Sequence, residues 1–146
     1  MADPAATFTR PSHVAIFALA GNAILTVKSR RTGDHRTYRV RRPKPDAPFF
    51  LSLLTGPDNE TSYTYVGVVD PESLLVRPTK KSTFRCDSVP VRAWNYVMSN
   101  VGTGQFPDDA EIMHEGRCGA CGRTLTVPES IERGIGPECF AKMGGG

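Results

Sequence analysis

The sequence predicts an α+β protein in which a small antiparallel sheet of about five strands carries one packed helix, followed by a small metal-binding module. Three observations predict this class: short runs of β-forming residues between turn signals, one run with helical apolar spacing, and cysteines at metal-ligand spacing near the C-terminus. A chain of 146 residues with 39% hydrophobic residues can support one modest core. We expect the C-terminal module to be of zinc-knuckle or treble-clef type.

Five runs have the composition of strands. A Thr32-Gly33-Asp34 turn signal joins the first two runs and predicts a hairpin. A loop from Gly56 to Asn59 is expected between the third and fourth runs. The apolar, alanine-containing residues 13–25 fit either a strand or a short helix. The five predicted strands are Ile24–Val27, Thr37–Val40, Phe49–Leu54, Tyr63–Val69 and Ser73–Arg77.

The helix is predicted from Ser88, which can act as the N-cap, to Gly102, which can end it. Apolar residues between these limits recur at helical spacing, so one face should cover the sheet. Trp94 lies on that face and is expected in the core. Cys86, just before the helix, is expected to be a buried thiol on a strand.

These patterns divide the chain into four segments. We expect a flexible tail over residues 1–12, a sheet domain over 13–102, an acidic linker over 103–112 and a zinc-binding module over 113–146. The linker assignment follows from its cluster of acidic residues between the predicted helix and the first module cysteine.

The C-terminal segment contains the ligand types that zinc prefers. Cys118 and Cys121 have C-x2-C spacing, and Cys139 is expected in the first turn of a short helix after Gly136-Pro137. His114 would be the fourth ligand and would complete a closed, structural zinc site. Cys86 or a water molecule could take the fourth position instead, and a water ligand would allow a catalytic site. A disulfide framework is disfavoured because no signal peptide is apparent.

The same segment resembles a small cysteine-containing domain of unknown function. The matching elements are G-R-C-x-x-C-G-R-x-L-T-x-P-x-S, from Gly116, and G-I-G-P-x-C, which ends at Cys139. Such domains occur in bacteriophage and bacterial proteins, sometimes appended to helicase-like enzymes. The resemblance implies metal binding and a phage or prophage setting, and it implies no substrate.

A basic hairpin is the main functional feature outside the cysteine segment. Its arginines, interleaved with Tyr38, could follow a phosphate backbone, and Tyr63 and Tyr65 could stack on bases. An ordinary solvated sheet face would have the same pattern, and the net charge of +3 alone does not specify nucleic acid. Arg117 and Arg123 beside the cysteines could also contact phosphates. The candidate nucleic-acid-binding residues are Arg30, Arg31, Arg36, Arg39, Arg41, Arg42, Arg117 and Arg123.

The motifs of the main enzyme classes are missing from the sequence, which has no Walker-type loop, no nucleophile elbow and no deaminase signature. We therefore expect a non-enzymatic zinc protein that contacts nucleic acid or a nucleoprotein complex. A protein–protein interaction factor, such as a phage modulator of a host machine, is the alternative, and a zinc hydrolase is the third. No run approaches the length of a membrane span, so we expect a cytoplasmic protein, in the host cytoplasm if it is phage-encoded.

Overall fold

The protein folds around one antiparallel sheet. The computed structural model describes residues 6–44, 46–56, 62–125 and 128–142. Predicted features in the remaining positions, including most of the Gly56–Asn59 loop, lie outside the described residues. Within the described residues the elements are β1 (Ala6–Thr7), α1 (Pro11–Ala18), β2 (Asn22–Ser29), β3 (His35–Arg41), β4 (Phe49–Leu54), β5 (Tyr63–Val69), β6 (Val76–Arg77), α2 (Val89–Gly102), β7 (Ala110–His114), α3 (Pro128–Arg133) and α4 (Pro137–Lys142).

The seven strands lie in the order β1-β7-β2-β3-β4-β5-β6, and every neighbouring pair is antiparallel. The predicted α+β class with an antiparallel sheet is therefore confirmed. The predicted hairpin forms between β2 and β3, and β4 and β5 have the predicted bounds. Residues 13–25 contain both of the proposed alternatives, because α1 ends at Ala18 and β2 begins at Asn22.

Strand β7 corrects the predicted linker. Its residues Ala110, Ile112 and His114 are buried and alternate with half-buried Glu111 and Met113, which is the pattern of a strand with one face in a core. The acidic residues just before this strand had suggested a solvated connector over 103–112. Because β7 pairs with β2, the predicted boundary between sheet domain and zinc module falls inside a strand of the sheet.

The predicted N-terminal tail is also partly structured. Strand β1 pairs with β7, and Phe8 directly after it is almost completely buried. Helix α1 begins at Pro11, where a proline is favourable because the first helical N–H has no partner inside the helix. The tail prediction for residues 6–12 is therefore wrong.

Helices α1 and α2 pack on the same core as the inward side of the sheet. Trp94 of α2 is fully buried, and its Nε1–H donates to the Leu74 carbonyl at 2.8 Å. Its ring lies 5.0 Å from the ring of Tyr38, whose hydroxyl donates to the Pro90 carbonyl at 2.8 Å. These contacts confirm Trp94 as a core residue. Among the described residues, no helix has the length and apolar character needed to cross a bilayer.

Candidate metal centre

The first two cysteines lie on a tight turn directly after strand β7. Arg117 and Thr124 form an antiparallel bridge at its base. Within the turn, the Cys118 N–H donates to the Arg123 carbonyl at 2.8 Å, and the Gly122 N–H donates to the Cys118 carbonyl at 2.9 Å. Gly122 has a φ of +80°, which a residue with a Cβ adopts only with strain. The turn thus has the backbone hydrogen bonds and the glycine expected for a metal-binding knuckle.

The third cysteine arrives from the last helix. Cys139 lies in the first turn of α4, as predicted, directly after the Gly136-Pro137 step. The Gly136 N–H donates to the Cys118 sulfur at 3.2 Å, and the Ala120 N–H donates to the same sulfur at 3.4 Å. N–H groups that point at a sulfur stabilise its thiolate form. The sequence motif did not reveal these two donors, because any residue except proline supplies a backbone N–H.

The structure brings Cys118, Cys121 and Cys139 together. Their three sulfur atoms all lie within 4.8 Å of one another. Zinc–sulfur bonds of about 2.3 Å place two sulfurs of a tetrahedral site about 3.8 Å apart, so small side-chain adjustments would close the three sulfurs around one ion. The cluster lies at the protein surface, because Cys121 is exposed and Cys139 is half-buried, whereas Cys118 is buried. These residues could hold a metal ion.

The electrostatics of the cluster favour a cation. Burial raises the pKa of Cys118, but hydrogen bonds to its sulfur, first from the Gly136 N–H and then from Cys121 and Ala120, lower it more. Burial, together with hydrogen bonds to Cys121 and Cys118, raises the pKa of Cys139 to about 12. Ionisation of one of these thiols therefore opposes ionisation of its neighbours, because thiolates repel each other. A divalent ion would remove this conflict and convert all three to ligands.

His114, predicted as the fourth ligand, is not brought into this cluster. The ring is almost fully buried and packs near the rings of Phe8 and Phe17. Its Nε2–H donates to the Ile131 carbonyl, and its Nδ1 accepts the Gly116 N–H at 2.9 Å. Both ring nitrogens are therefore occupied by backbone groups. In this structure His114 links strand β7 to helix α3 as a core residue.

Cys86 also differs from its prediction. It lies in an exposed turn before α2, not on a strand, and it is not part of the sulfur cluster. No strand forms around it, because residues 79–88 form successive turns held by local hydrogen bonds. The predicted buried thiol is therefore wrong.

The cysteine segment packs directly on α1. A Cβ at Gly119 would lie 2.8 Å from Phe17 Cδ1, and a Cβ at Gly134 would lie 2.5 Å from the same atom. The Asn22 N–H at the start of β2 donates to the Gly119 carbonyl at 2.7 Å. Phe17 is therefore a contact that the sequence analysis missed. The two glycines are the sequence signal for this contact, because any side chain at either position would meet the Phe17 ring.

The predicted phosphate-contacting arginines lie in several different surroundings. On β3, Arg39 and Arg41 lie on the face opposite buried Tyr38 and Val40, as alternation predicts. Arg30 instead forms an ion pair with Glu111 at 3.4 Å. Arg31 is exposed near Tyr96, and Arg36 lines a pocket beside Tyr38. Arg42 stacks on Phe49 and donates to the Ala47 carbonyl.

The two predicted arginines of the cysteine segment lie on either side of the knuckle. Arg117 forms the bridge with Thr124, and Arg123 lies 4.0 Å from Glu138.

A family model described as a family of unknown function (DUF6011) matches residues 108–144. This match and the three clustered cysteines agree with the expected resemblance to a cysteine-containing domain of unknown function. The matched segment begins just before β7, so it includes the strand that joins the cysteines to the sheet. No curated protein and no solved structure matches the chain.

Proposed function

We propose that this chain is a non-enzymatic zinc-binding protein in which Cys118, Cys121 and Cys139 hold the ion. The observation that carries the proposal is the convergence of three sulfurs within 4.8 Å from two separate parts of the segment. Soft thiolate ligands favour zinc among the divalent ions available to a cell. In such a site the metal would fix α4 to the knuckle, because α4 has no buried residue of its own in the described part of the chain.

Metal analysis of the purified full chain, kept under a non-thiol reductant, tests this proposal. We expect about one zinc per chain, and we expect Cys139→Ser to weaken zinc affinity by more than about 100-fold, since loss of a ligand exceeds the usual effect of losing an outer contact. Cys86→Ser is the matched control, because this cysteine lies outside the cluster. Absence of zinc with free thiols, or equal effects of the two variants, would contradict the proposal.

A second candidate function, contact with nucleic acid or a nucleoprotein complex, is favoured by the charge of the sheet. Strands β2 to β6 contain no acidic residue, and Arg39, Arg41 and Arg77 lie on the sheet face opposite the core, while Lys28 at the edge of this face lies opposite Glu111 of β7. The strand register places Arg41 opposite Phe50, and Arg39 opposite Ser52, which in turn pairs with Tyr65. Cations interleaved with half-exposed aromatic rings are typical of surfaces that bind single strands.

Nucleic-acid binding by this face of the sheet is testable through the salt dependence of the affinity. The assay is fluorescence anisotropy with labelled single-stranded DNA or RNA longer than the roughly 4–16 nucleotides that one small fold contacts. The double variant Arg41→Gln, Arg77→Gln changes two exposed arginines of this face and should reduce the slope of log affinity against log salt by about 1.4, at about 0.7 per lost phosphate contact. Arg92→Gln, at an exposed position of α2, is the control. Binding that is absent, or insensitive to salt, would remove this candidate.

A protein partner is the alternative within the same proposal. The resemblance of the cysteine segment to phage proteins favours a phage or prophage product that acts in the host cytoplasm, where a reducing environment would keep the three thiols free for metal. A pull-down from bacterial lysate, with and without nuclease, separates the two partner types. A stable protein partner that survives nuclease treatment would favour this alternative over nucleic acid.

A further inference from the structure

The three cysteines open into one cleft. Cys118, Cys121 and Cys139 all line a cavity of about 280 Å³ at the protein surface. The opposite side of the Cys118 sulfur faces protein, where it accepts the Gly136 and Ala120 N–H groups. A metal held by the three sulfurs would therefore direct its remaining coordination position toward the cleft.

The described residues do not supply a fourth ligand for that position. No other His, Cys, Asp or Glu among them joins the three-sulfur group. Both nitrogens of His114 are engaged with backbone groups. Glu138 also lines the cleft, but its carboxylate faces Arg123 at 4.0 Å and is not close to all three sulfurs.

The cleft has a composition that suits an anionic donor. Its walls include Arg123 and Lys142, with the hydroxyl-bearing Thr124 and Ser130. A divalent ion with three thiolates carries a formal charge of about −1, so a fourth thiolate needs nearby cations to offset the added charge. Glu138 opposes Arg123 at 4.0 Å, so with Lys142 the charged side chains of the cleft sum to one positive charge. A cavity of this size also has room for a side chain or a small molecule.

We propose that the bound metal takes its fourth ligand from outside the chain, and that this ligand is a thiolate. This inference rests on the proposed metal binding. When the external thiol binds, its S–H proton passes to solvent and its sulfur forms the fourth metal–sulfur bond, with no oxidation or reduction. The source is either a small thiol or a cysteine of another polypeptide, including the exposed Cys86 of a second copy.

Cobalt substitution of the full chain, under a phosphine reductant, tests the inference by visible and near-ultraviolet absorption. We expect sulfur-to-cobalt charge-transfer bands from three thiolates, which increase saturably by about a third when 2-mercaptoethanol is added, as three Co–S bonds become four. The double variant Arg123→Gln, Lys142→Gln should weaken thiol binding several-fold and should weaken cobalt binding less, because the four-thiolate complex carries one more negative charge than the three-thiolate complex. Arg92→Gln, outside the cleft, is the matched control.

The outcomes separate this inference from the proposed function. If cobalt does not bind, metal binding itself fails. If cobalt binds in a monomer with four protein ligands and does not respond to thiol, only the external ligand is excluded. Bands that change in His114→Gln or Glu138→Gln would also overturn it by revealing a ligand within the chain. Four Co–S bonds before thiol addition, in a dimer that is lost in Cys86→Ser, would support it and identify the second copy as the source.

Discussion

The sheet with α2 and the cysteine segment over residues 115–142 are stabilised in different ways. The sheet and α2 bury a continuous set of large side chains, among them Trp94, Tyr38 and Leu51. In the described part of the cysteine segment, the only buried hydrophobic residues are Cys118, Leu125 and Ile135. Apolar burial is extensive in the first region and small in the second, which packs on α1 and for which we propose a metal as the further source of stability.

The two regions are nevertheless continuous. Strand β7 leads directly from the sheet into the knuckle, and Phe17 of α1 fits against Gly119 and Gly134. Loss of the metal should therefore loosen the segment while the sheet persists, and loss of the core should affect both. The following changes separate these effects.

The largest effect is expected for Trp94→Ala in the first region. Truncating a fully buried tryptophan removes its core contacts and its hydrogen bond to the Leu74 carbonyl, which should lower the free energy of unfolding by about 3–5 kcal/mol. Urea unfolding followed by circular dichroism measures it. The remaining folded protein should still bind one zinc per chain, because Trp94 is not part of the sulfur cluster. A change in zinc stoichiometry would show that the two regions are not stabilised separately.

A smaller effect is expected for Gly134→Ala at the contact between the regions. Gly134 has a φ of +77°, and a Cβ there would lie 2.5 Å from Phe17 Cδ1, so the change adds both backbone strain and a clash. Gly33→Ala is the matched control, because its φ is +78° and a Cβ would meet nothing within 4 Å. Gly33→Ala should cost about 1–2 kcal/mol for strain alone.

The clash should add about 1–3 kcal/mol for Gly134→Ala beyond the Gly33→Ala control. It should also increase hydrogen exchange in residues 116–125, where the knuckle packs on α1. Equal costs for the two variants would mean that Phe17 moves aside freely, and that the segment is attached to α1 only loosely.

Sequence predicted the sheet well where local patterns decided the structure. The alternating and apolar runs of β4 and β5 gave the observed bounds, and the helical spacing around Trp94 gave α2. Strand β7 was missed because its alternation is short and follows an acidic cluster, which composition alone assigns to solvent. Its burial depends on pairing with β2, which is far away in the sequence.

The candidate metal site was also predicted only in part. The spacing of Cys118 and Cys121 favours a local turn, so their proximity could be predicted from the sequence. The Gly136-Pro137 helix-start signal predicted the position of Cys139 in the first turn of a helix. The hydrogen bonding of His114 could not be predicted from the sequence, because it depends on where the Ile131 carbonyl lies after folding. A histidine close to cysteines in sequence satisfies the spacing of a ligand without being directed toward the ion.

The smallest expected effect concerns His114, which belongs to the core and not to the sulfur cluster in this structure. Burial lowers the pKa of His114 from its usual value, and the hydrogen bond to the Ile131 carbonyl opposes this only in part. As the pH falls below about 6.5, the unfolded chain takes up a proton that the folded protein resists. Stability should therefore be full above that pH and should decrease as the pH falls toward the folded-state pKa.

His114→Gln should remove this part of the pH dependence, which has a slope of at most about 1.4 kcal/mol per pH unit. Urea unfolding of both proteins at pH 7.5 and pH 5.5, with equal zinc, measures it. Acid release of metal from the thiolates is common to both proteins and cancels in the difference. His35→Gln, at an exposed position, is the matched control. If His114→Gln also keeps that slope and instead loses zinc at neutral pH, the histidine is a metal ligand, and the division between the two regions must be moved to include it.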